Sequence, residues 1–298
     1  MMDFQEFCQY IRDEMESRLA SEGGIFSLED VLKNNQHIMK GLIYQKPSRG
    51  DFHAKQQIYL EAFYKEYQEG TALGTILYNI ESKLRQYDIN IEDISKMLTK
   101  DGVINSVFPT LINFKNNTKI LETLPWKPFL DLAVIYKVMI KDEYMITVTK
   151  NLLELVGLDV TELDRAAMEN LKKQEPVIEK LSDILGIFEP VGMQVITNEA
   201  RHWGTGYLLL PEVLEKVAGE LGGDYFVIPS SIHEVIAIRK DPSVAAMAEN
   251  LATFIREVNE AEVAPEERLS DQPYLYDAKE KMLTMPLGNK FVIHAPKL

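Results

Sequence analysis

The sequence predicts an α+β fold in which antiparallel or mixed sheets pack against amphipathic helices, and three observations carry that expectation. Residues 193–240 alternate short apolar runs with glycine- and proline-marked turns, which reads as a central β-hairpin–α–β–β unit. Stretches on either side repeat apolar residues at three- and four-residue steps, the mark of helices with one buried face. With 298 residues and 46% hydrophobic content the chain has material for a sizeable core. It is arranged either as α+β regions over 1–150 and 151–298 or as one continuous domain, with a soft boundary near residue 150.

Within the central unit, Met193–Thr197 is expected as a strand, with Tyr207–Leu210 as its hairpin partner across Asn198 and Gly204-Thr205-Gly206. Pro211 suits the first turn of a helix, where an N–H has no intrahelical use. Val213, Leu214, Val217 and Leu221 then share one face before Gly222-Gly223 ends the helix. Tyr225–Ile228 and Ile232–Arg239 follow as strands around a Pro229-Ser230-Ser231 corner.

From the start of the chain, Phe4, Phe7, Cys8, Ile11, Met15 and Leu19 lie on one stripe and predict a helix over 3–20. Cys8 on that stripe is packing material rather than a nucleophile. Val31–Asn35 and His37–Tyr44 predict a hairpin, followed by helices over Lys55–Gln68 and Thr71–Tyr87. The first of these helices puts Tyr59, Phe63 and Tyr67 in a row. Without interleaved basic residues that row reads as core, not as a base-stacking platform. Asp93–Leu111 is expected as a helix pair interrupted near Gly102 and Pro109, and Pro125-Trp126-Lys127-Pro128 as a stiff connection. Phe129–Ile140 and Tyr144–Val148 predict a long hairpin turning at Lys141-Asp142-Glu143, half-buried on the face that holds Asp131 and Lys137.

Beyond residue 150, a short helix over Asn151–Val156 precedes Thr161 and Asp164, which read as an acidic capping box opening a helix over Glu162–Lys173. Pro176 begins another segment, and Ser182–Phe188 is expected as a short helix. After the central unit, a helix starting at Pro242-Ser243 carries Val244, Met247, Leu251, Phe254, Ile255 and Val258. Glu257, Glu260, Glu262, Glu266 and Glu267 crowd its far end, where acids oppose the macrodipole. A solvated loop is the ordinary role of such a cluster, and a cation or basic partner the alternative. Leu269–Asp277, Met282–Met285 and Phe291–His294 predict a final hairpin or two extended strands.

The formal charge of −14 is uneven: residues 151–298 hold 14 Lys and Arg against 25 Asp and Glu, and residues 1–150 hold 18 against 21. Nonspecific nucleic-acid affinity comes from Lys and Arg on phosphates, so DNA, RNA and anionic membrane surfaces are not expected partners. A single cysteine permits no internal disulfide, and the first residues lack a basic segment followed by an apolar run, so a reducing cytoplasm is expected. No stretch approaches the ~18 uncharged apolar residues of a membrane span.

Phosphate-binding, zinc-protease, paired-cysteine and serine-elbow motifs are absent, so no metal or cofactor is expected. Two polar corners remain. One comprises Thr197, Asn198 and Glu199 with Arg201, His202 and Trp203; the other comprises Ser230, Ser231, His233 and Glu234. If the strands that carry them are neighbours, a hydroxyl, an imidazole and a carboxylate converge, the minimum for acyl transfer. Ser230, Ser231, His202 and His233 are the catalytic candidates. Thr197, Asn198, Glu199, Trp203 and Glu234 are candidates for ligand or partner contact. The same residue types commonly bond the local backbone at turns.

Leu155-Val156-Gly157, Ile196-Thr197-Asn198-Glu199, the run from Tyr225 to Val235 and the run from Val258 to Asp271 resemble a domain family of unknown function, DUF5688, common in gut-dwelling clostridia. Phe4-Gln5-Glu6-Phe7, Val31–Asn35 and Ile58–Tyr64 resemble the same family, so the likeness spans most of the chain. The order of the central unit is also loosely similar to a second Firmicutes family, DUF1444. The resemblance implies a soluble cytoplasmic protein of mobile or accessory genetic regions and brings no catalytic residue set. The resulting expectation is an interaction or regulatory protein with a protein partner and no catalysis. The alternatives are a hydrolase using a Ser/His pair and a sensor binding a small ligand near the 197–203 turn.

Overall fold

The computed structural model describes residues 1–45, 55–86, 97–141, 144–186, 192–244 and 246–288. The fold is α+β, and the chain divides into two compact units, Met1–Lys96 and Met97–Leu298. Residue 150 lies inside the second unit, because strands formed before it pack on elements formed after it.

The first unit begins with α1 (Phe4–Arg18). Asp3 accepts the Glu6 N–H at 2.9 Å and Glu6 accepts the Asp3 N–H at 3.0 Å, which closes the helix N-terminus reciprocally. Phe7, Cys8, Ile11 and Met15 are buried. Burial, seconded by the Glu61 carboxylate, pushes the Cys8 thiol up to about 11 and keeps it a packing group. The helix shares its core with an antiparallel sheet ordered β1 (Ile25–Leu32), β2 (Ile38–Gln45), β3 (Lys55–Tyr59). In register, Phe26 faces Tyr44 and their rings stack at 4.5 Å.

A helix does not cover Lys55–Gln68. Lys55–Tyr59 pairs the open edge of β2, the Leu60 N–H donates to the Lys40 carbonyl at 3.0 Å, and only then does α2 (Glu61–Gln68) begin. Tyr59 is therefore separated from the row of Phe63 and Tyr67, and Phe63 is core. α3 (Leu73–Gln86) completes the unit through Ile76, Leu77, Ile80 and Leu84.

In the second unit α4 (Lys100–Ser106) runs directly into β4 (Val107–Asn113), so the second part of the expected helix pair is a strand; residues 93–96 lie outside the described residues. Pro109 is tolerated because β4 is an edge strand, where a missing N–H breaks no ladder bond. After the short α5 (Thr118–Leu121), the supposed Pro-Trp-Lys-Pro connection contributes β5 (Lys127–Phe129). β5 and β7 (Tyr144–Thr147) share the edge of β6 (Leu132–Lys141) opposite β4. The hairpin of β6 and β7 forms, its tip at 142–143 outside the described residues, but its first strand starts at Leu132 rather than Phe129, because Phe129 belongs to β5 and pairs back onto Leu132. Both of its faces are covered, however: Leu132 to Val138 are buried throughout, Lys137 included.

α6 (Lys150–Val156) leads to α7 (Val160–Lys173), which packs on β4. Its capping box is Asp159 with Glu162, two residues before the predicted pair. Asp164 instead accepts from Lys127 Nζ and Tyr136 Oη, each at 2.9 Å, and fastens the helix to the sheet.

A second antiparallel sheet is ordered β13-β12-β10-β11-β9-β8. Its strands are β8 (Val177–Lys180), β9 (Met193–Thr197), β10 (Tyr225–Ile228), β11 (Val235–Arg239), β12 (Tyr274–Asp277) and β13 (Met282–Thr284). The short α8 (Leu181–Leu185) follows β8, α9 is Pro211–Leu221 and α10 is Met247–Ala261. Adjacent residues of a strand point to opposite faces. Tyr225 donates to the Leu214 carbonyl of α9 at 3.2 Å while Phe226 packs against Ile255 of α10, so the two helices cover opposite faces. α10 starts at Met247 rather than Pro242, leaving Val244 44% exposed. β12 and β13 form the final hairpin, and 291–294 lie outside the described residues.

Tyr207–Leu210 is not the strand partner of β9. Both edges of β9 are already taken, by β8 and β11. Gly204–Leu209 is a 3₁₀ turn laid across β4 instead. Thr205 Oγ1 accepts the Leu111 N–H at 3.3 Å, and Gly206 is pressed against the backbone of Pro109. A Cβ at Gly206 would meet the Pro109 carbonyl oxygen at 2.3 Å, a contact that only a backbone shift relieves. Gly206→Ala should therefore lower unfolding free energy by at least about 2 kcal/mol in denaturant titration, while Gly219→Ala, with open space around its Cβ, should be neutral or stabilising.

Candidate functional site

The two polar corners meet because β9 and β11 are neighbours, with Val235 opposite Ile196. The turn after β9 folds back onto the bend before β11. Thr197 Oγ1 and the Gly204 N–H both donate to the His233 carbonyl, at 2.9 and 3.0 Å. Asn198 closes the turn from within: its Oδ1 accepts the His202 N–H at 3.0 Å and its Nδ2 donates to the His202 carbonyl at 2.8 Å. Arg201 and Trp203 hold the left-handed conformation, at φ 48° and 57°, uncommon for bulky side chains and sustained only where surrounding bonds impose it.

The imidazoles of His202 and His233 stack at 4.7 Å with 26° between their planes, and Trp203 meets His233 edge-on at 6.2 Å. His233 Nδ1 accepts the Trp203 N–H at 3.4 Å, and its Nε2 lies 3.3 Å from Glu267 Oε1. Both ring nitrogens therefore have a polar neighbour. Ser231 Oγ accepts the backbone N–H of its near neighbour His233 at 3.1 Å, and the Ser230 carbonyl accepts the Leu269 N–H at 3.1 Å. Trp203 packs against the apolar cluster that includes Ile112, Ala133 and Ile135, with Lys137 Nζ 3.8 Å above its ring, so the indole face that invites stacking already carries an ammonium. Glu199 is exposed on the turn, and Glu234 is half-buried just before β11.

Thr197, Asn198, His202, Trp203, Ser231 and His233 are thus brought together. Lys137 and Glu267 join them unpredicted. Lys137 left a signal as a charge inside the apolar run of β6; Glu267 was hidden in its acidic cluster.

Arg201 turns away from this cluster to pair with Glu179. There it lines an open groove of about 560 Å³ with Ile178, Glu179 and Lys180 of β8, Asp183 and Ile184 of α8, Gln194 of β9 and Glu220 in the last turn of α9. The volume falls in the ~300–1,000 Å³ range of small-ligand sites. Gln194 is 4% exposed; its Nε2 donates to Glu220 Oε2 at 2.6 Å and its Oε1 is buried without a hydrogen-bond partner. A polar residue within Met193-Gln194-Val195-Ile196 was the sequence signal for it.

A second polar spot joins the two sheets of this unit. Asp131 accepts from Ser270 Oγ at 2.7 Å and Tyr274 Oη at 2.6 Å, and Asn113 Nδ2 donates to the Leu269 carbonyl at 2.9 Å. Burial raises the Asp131 carboxyl above its ordinary 3.8, against the lowering effect of those two hydroxyls. Among the described residues no group of three or more His, Cys, Asp or Glu could hold a metal ion, and no helix is long and apolar enough to cross a membrane.

No curated protein and no solved structure matches the chain. One family does, described as a family of unknown function (DUF5688), over residues 4–278.

Two stability measurements check this geometry. Thr197→Val removes one donor to the His233 carbonyl and should cost about 1 kcal/mol in denaturant titration, whereas Ser230→Ala should stay within about 0.5 kcal/mol. Because the fold raises the Asp131 pKa, the native state holds that proton longer than the unfolded chain does. Asp131 therefore lowers stability progressively as pH rises from its ordinary 3.8 through the raised folded value. Asp131→Asn should gain stability relative to the parent over that interval and keep a constant difference above it.

Proposed function

The chain belongs to the DUF5688 family, from which no activity can be carried over, and on the geometry of its own side chains we propose a recognition protein without catalysis. It acts in the cytoplasm as an interaction or regulatory partner of another protein, within the accessory genetic setting that the family resemblance implies.

One observation carries this reading. Two of the four groups that would make a Ser/His hydrolase are already engaged: both ring nitrogens of His233 have partners in the Trp203 N–H and the Glu267 carboxylate, and Ser231 Oγ faces the His233 N–H. A general base must present a lone pair within reach of its nucleophile's proton. The lone pair of His233 Nδ1 points at Trp203. The buried thiol of Cys8 and the acidic balance of residues 151–298 also support a protein-facing role in a reducing compartment.

A fluorophosphonate probe, which reports any serine activated by a base, tests the reading. The intact protein should remain unlabelled across neutral pH. Stoichiometric labelling that disappears in Ser230→Ala or Ser231→Ala would overturn it.

A further inference from the structure

We propose that the groove beside β8 and β9 binds a cation carried on an aliphatic stem: a primary ammonium or guanidinium, supplied by a lysine or arginine side chain of a peptide or by a free polyamine. This rests on the recognition reading above and assigns it a chemistry.

Four features of the groove point to that class. The first is Gln194, a 96% buried amide whose nitrogen is held by Glu220 while its oxygen has no partner. A buried carbonyl oxygen left unpaired costs about 1–3 kcal/mol, and what satisfies it is a hydrogen-bond donor, which an ammonium or guanidinium supplies. The second is charge. Arg201 is already paired with Glu179, so Asp183 and Glu220 face Lys180 as the remaining charged groups of the lining. The third is the position of Glu220. It sits in the last turn of the eleven-residue helix α9, a turn with no basic residue, where the helix presents its negative end. The fourth is apolar. Ile178 and Ile184 line the same groove, the latter 42% exposed, and offer a strip along which a methylene stem can lie while its charged head reaches the carboxylates. The surplus of acids over residues 151–298 would draw such a ligand in from solution.

A neutral or anionic ligand fits less well. It leaves the surplus negative charge of Asp183 and Glu220 over Lys180 uncompensated, and an acceptor-only group cannot satisfy Gln194 Oε1.

The test uses the full chain labelled with ¹⁵N-glutamine, titrated separately with spermidine, with a short lysine- and arginine-rich peptide, and with an acidic peptide of equal length. Saturable shifts of the Gln194 side-chain amide with spermidine, the basic peptide or both, and none with the acidic peptide, are the expected result; which probe acts identifies the source of the cation. Asp183→Asn combined with Glu220→Gln should weaken that binding by at least about tenfold, and raised ionic strength should weaken it in the parent protein without any substitution. No saturable shift with either cationic probe, or binding equal in the acidic control, overturns the proposal. Either result leaves the serine-probe outcome untouched, so failure of the groove chemistry and failure of the non-catalytic reading are separately visible.

Discussion

The carbonyl oxygen of His233 accepts hydrogen bonds from Thr197 Oγ1 and from the Gly204 N–H, and through them the end of β9 is fastened to the bend that leads into β11. Much of the surrounding geometry depends on this oxygen. Gly204 has no room for a side chain, since a Cβ would stand 2.5 Å from Thr197 Oγ1 and 2.7 Å from the same carbonyl. With Gly204 held there, the 3₁₀ turn that follows lies on β4, and the Trp203 carbonyl meets Thr110 Oγ1 at 3.2 Å. The larger sheet and the smaller one are thereby joined through the turn as well as through Asp131.

The same constraint explains why a cluster that reads as chemistry in one dimension serves as structure in three. Serine, histidine and a carboxylate do come together, but their polar atoms face backbone groups and one another. Two left-handed residues in one turn, Arg201 and Trp203, are strain that those bonds sustain. In the groove alongside, by contrast, the buried amide of Gln194 keeps an oxygen without a partner. Unsatisfied buried polar atoms are uncommon in native proteins, and each calls for an explanation in strain or in binding.

Local pattern made much of this legible. α1, the β1–β2 hairpin, α3, α7, α9 and β10 follow from apolar periodicity bounded by glycine, proline or a cap. The misses share a cause, which is that pairing partners decide between helix and strand where a short apolar run permits both. Lys55–Tyr59 is a strand because β2 has an open edge beside it; Val107–Asn113 is a strand because β6 does; Tyr207–Leu210 is not one because β9 has no edge left. The polar corners were visible from residue types alone. The groove was not, because Glu179, Asp183, Gln194 and Glu220 come from four separate elements whose approach is set by the order of the sheet.

The most direct measurement of the central claim is native-state hydrogen exchange at the Gly204 amide. If the His233 carbonyl closes the turn, that N–H should exchange only through opening of the second unit, with protection close to that of Ile196 in β9, and Thr197→Val should lower both together. Exchange at Gly204 near the rate of an unstructured amide, with Ile196 still protected, would mean that the turn is not fastened there and would contradict the account.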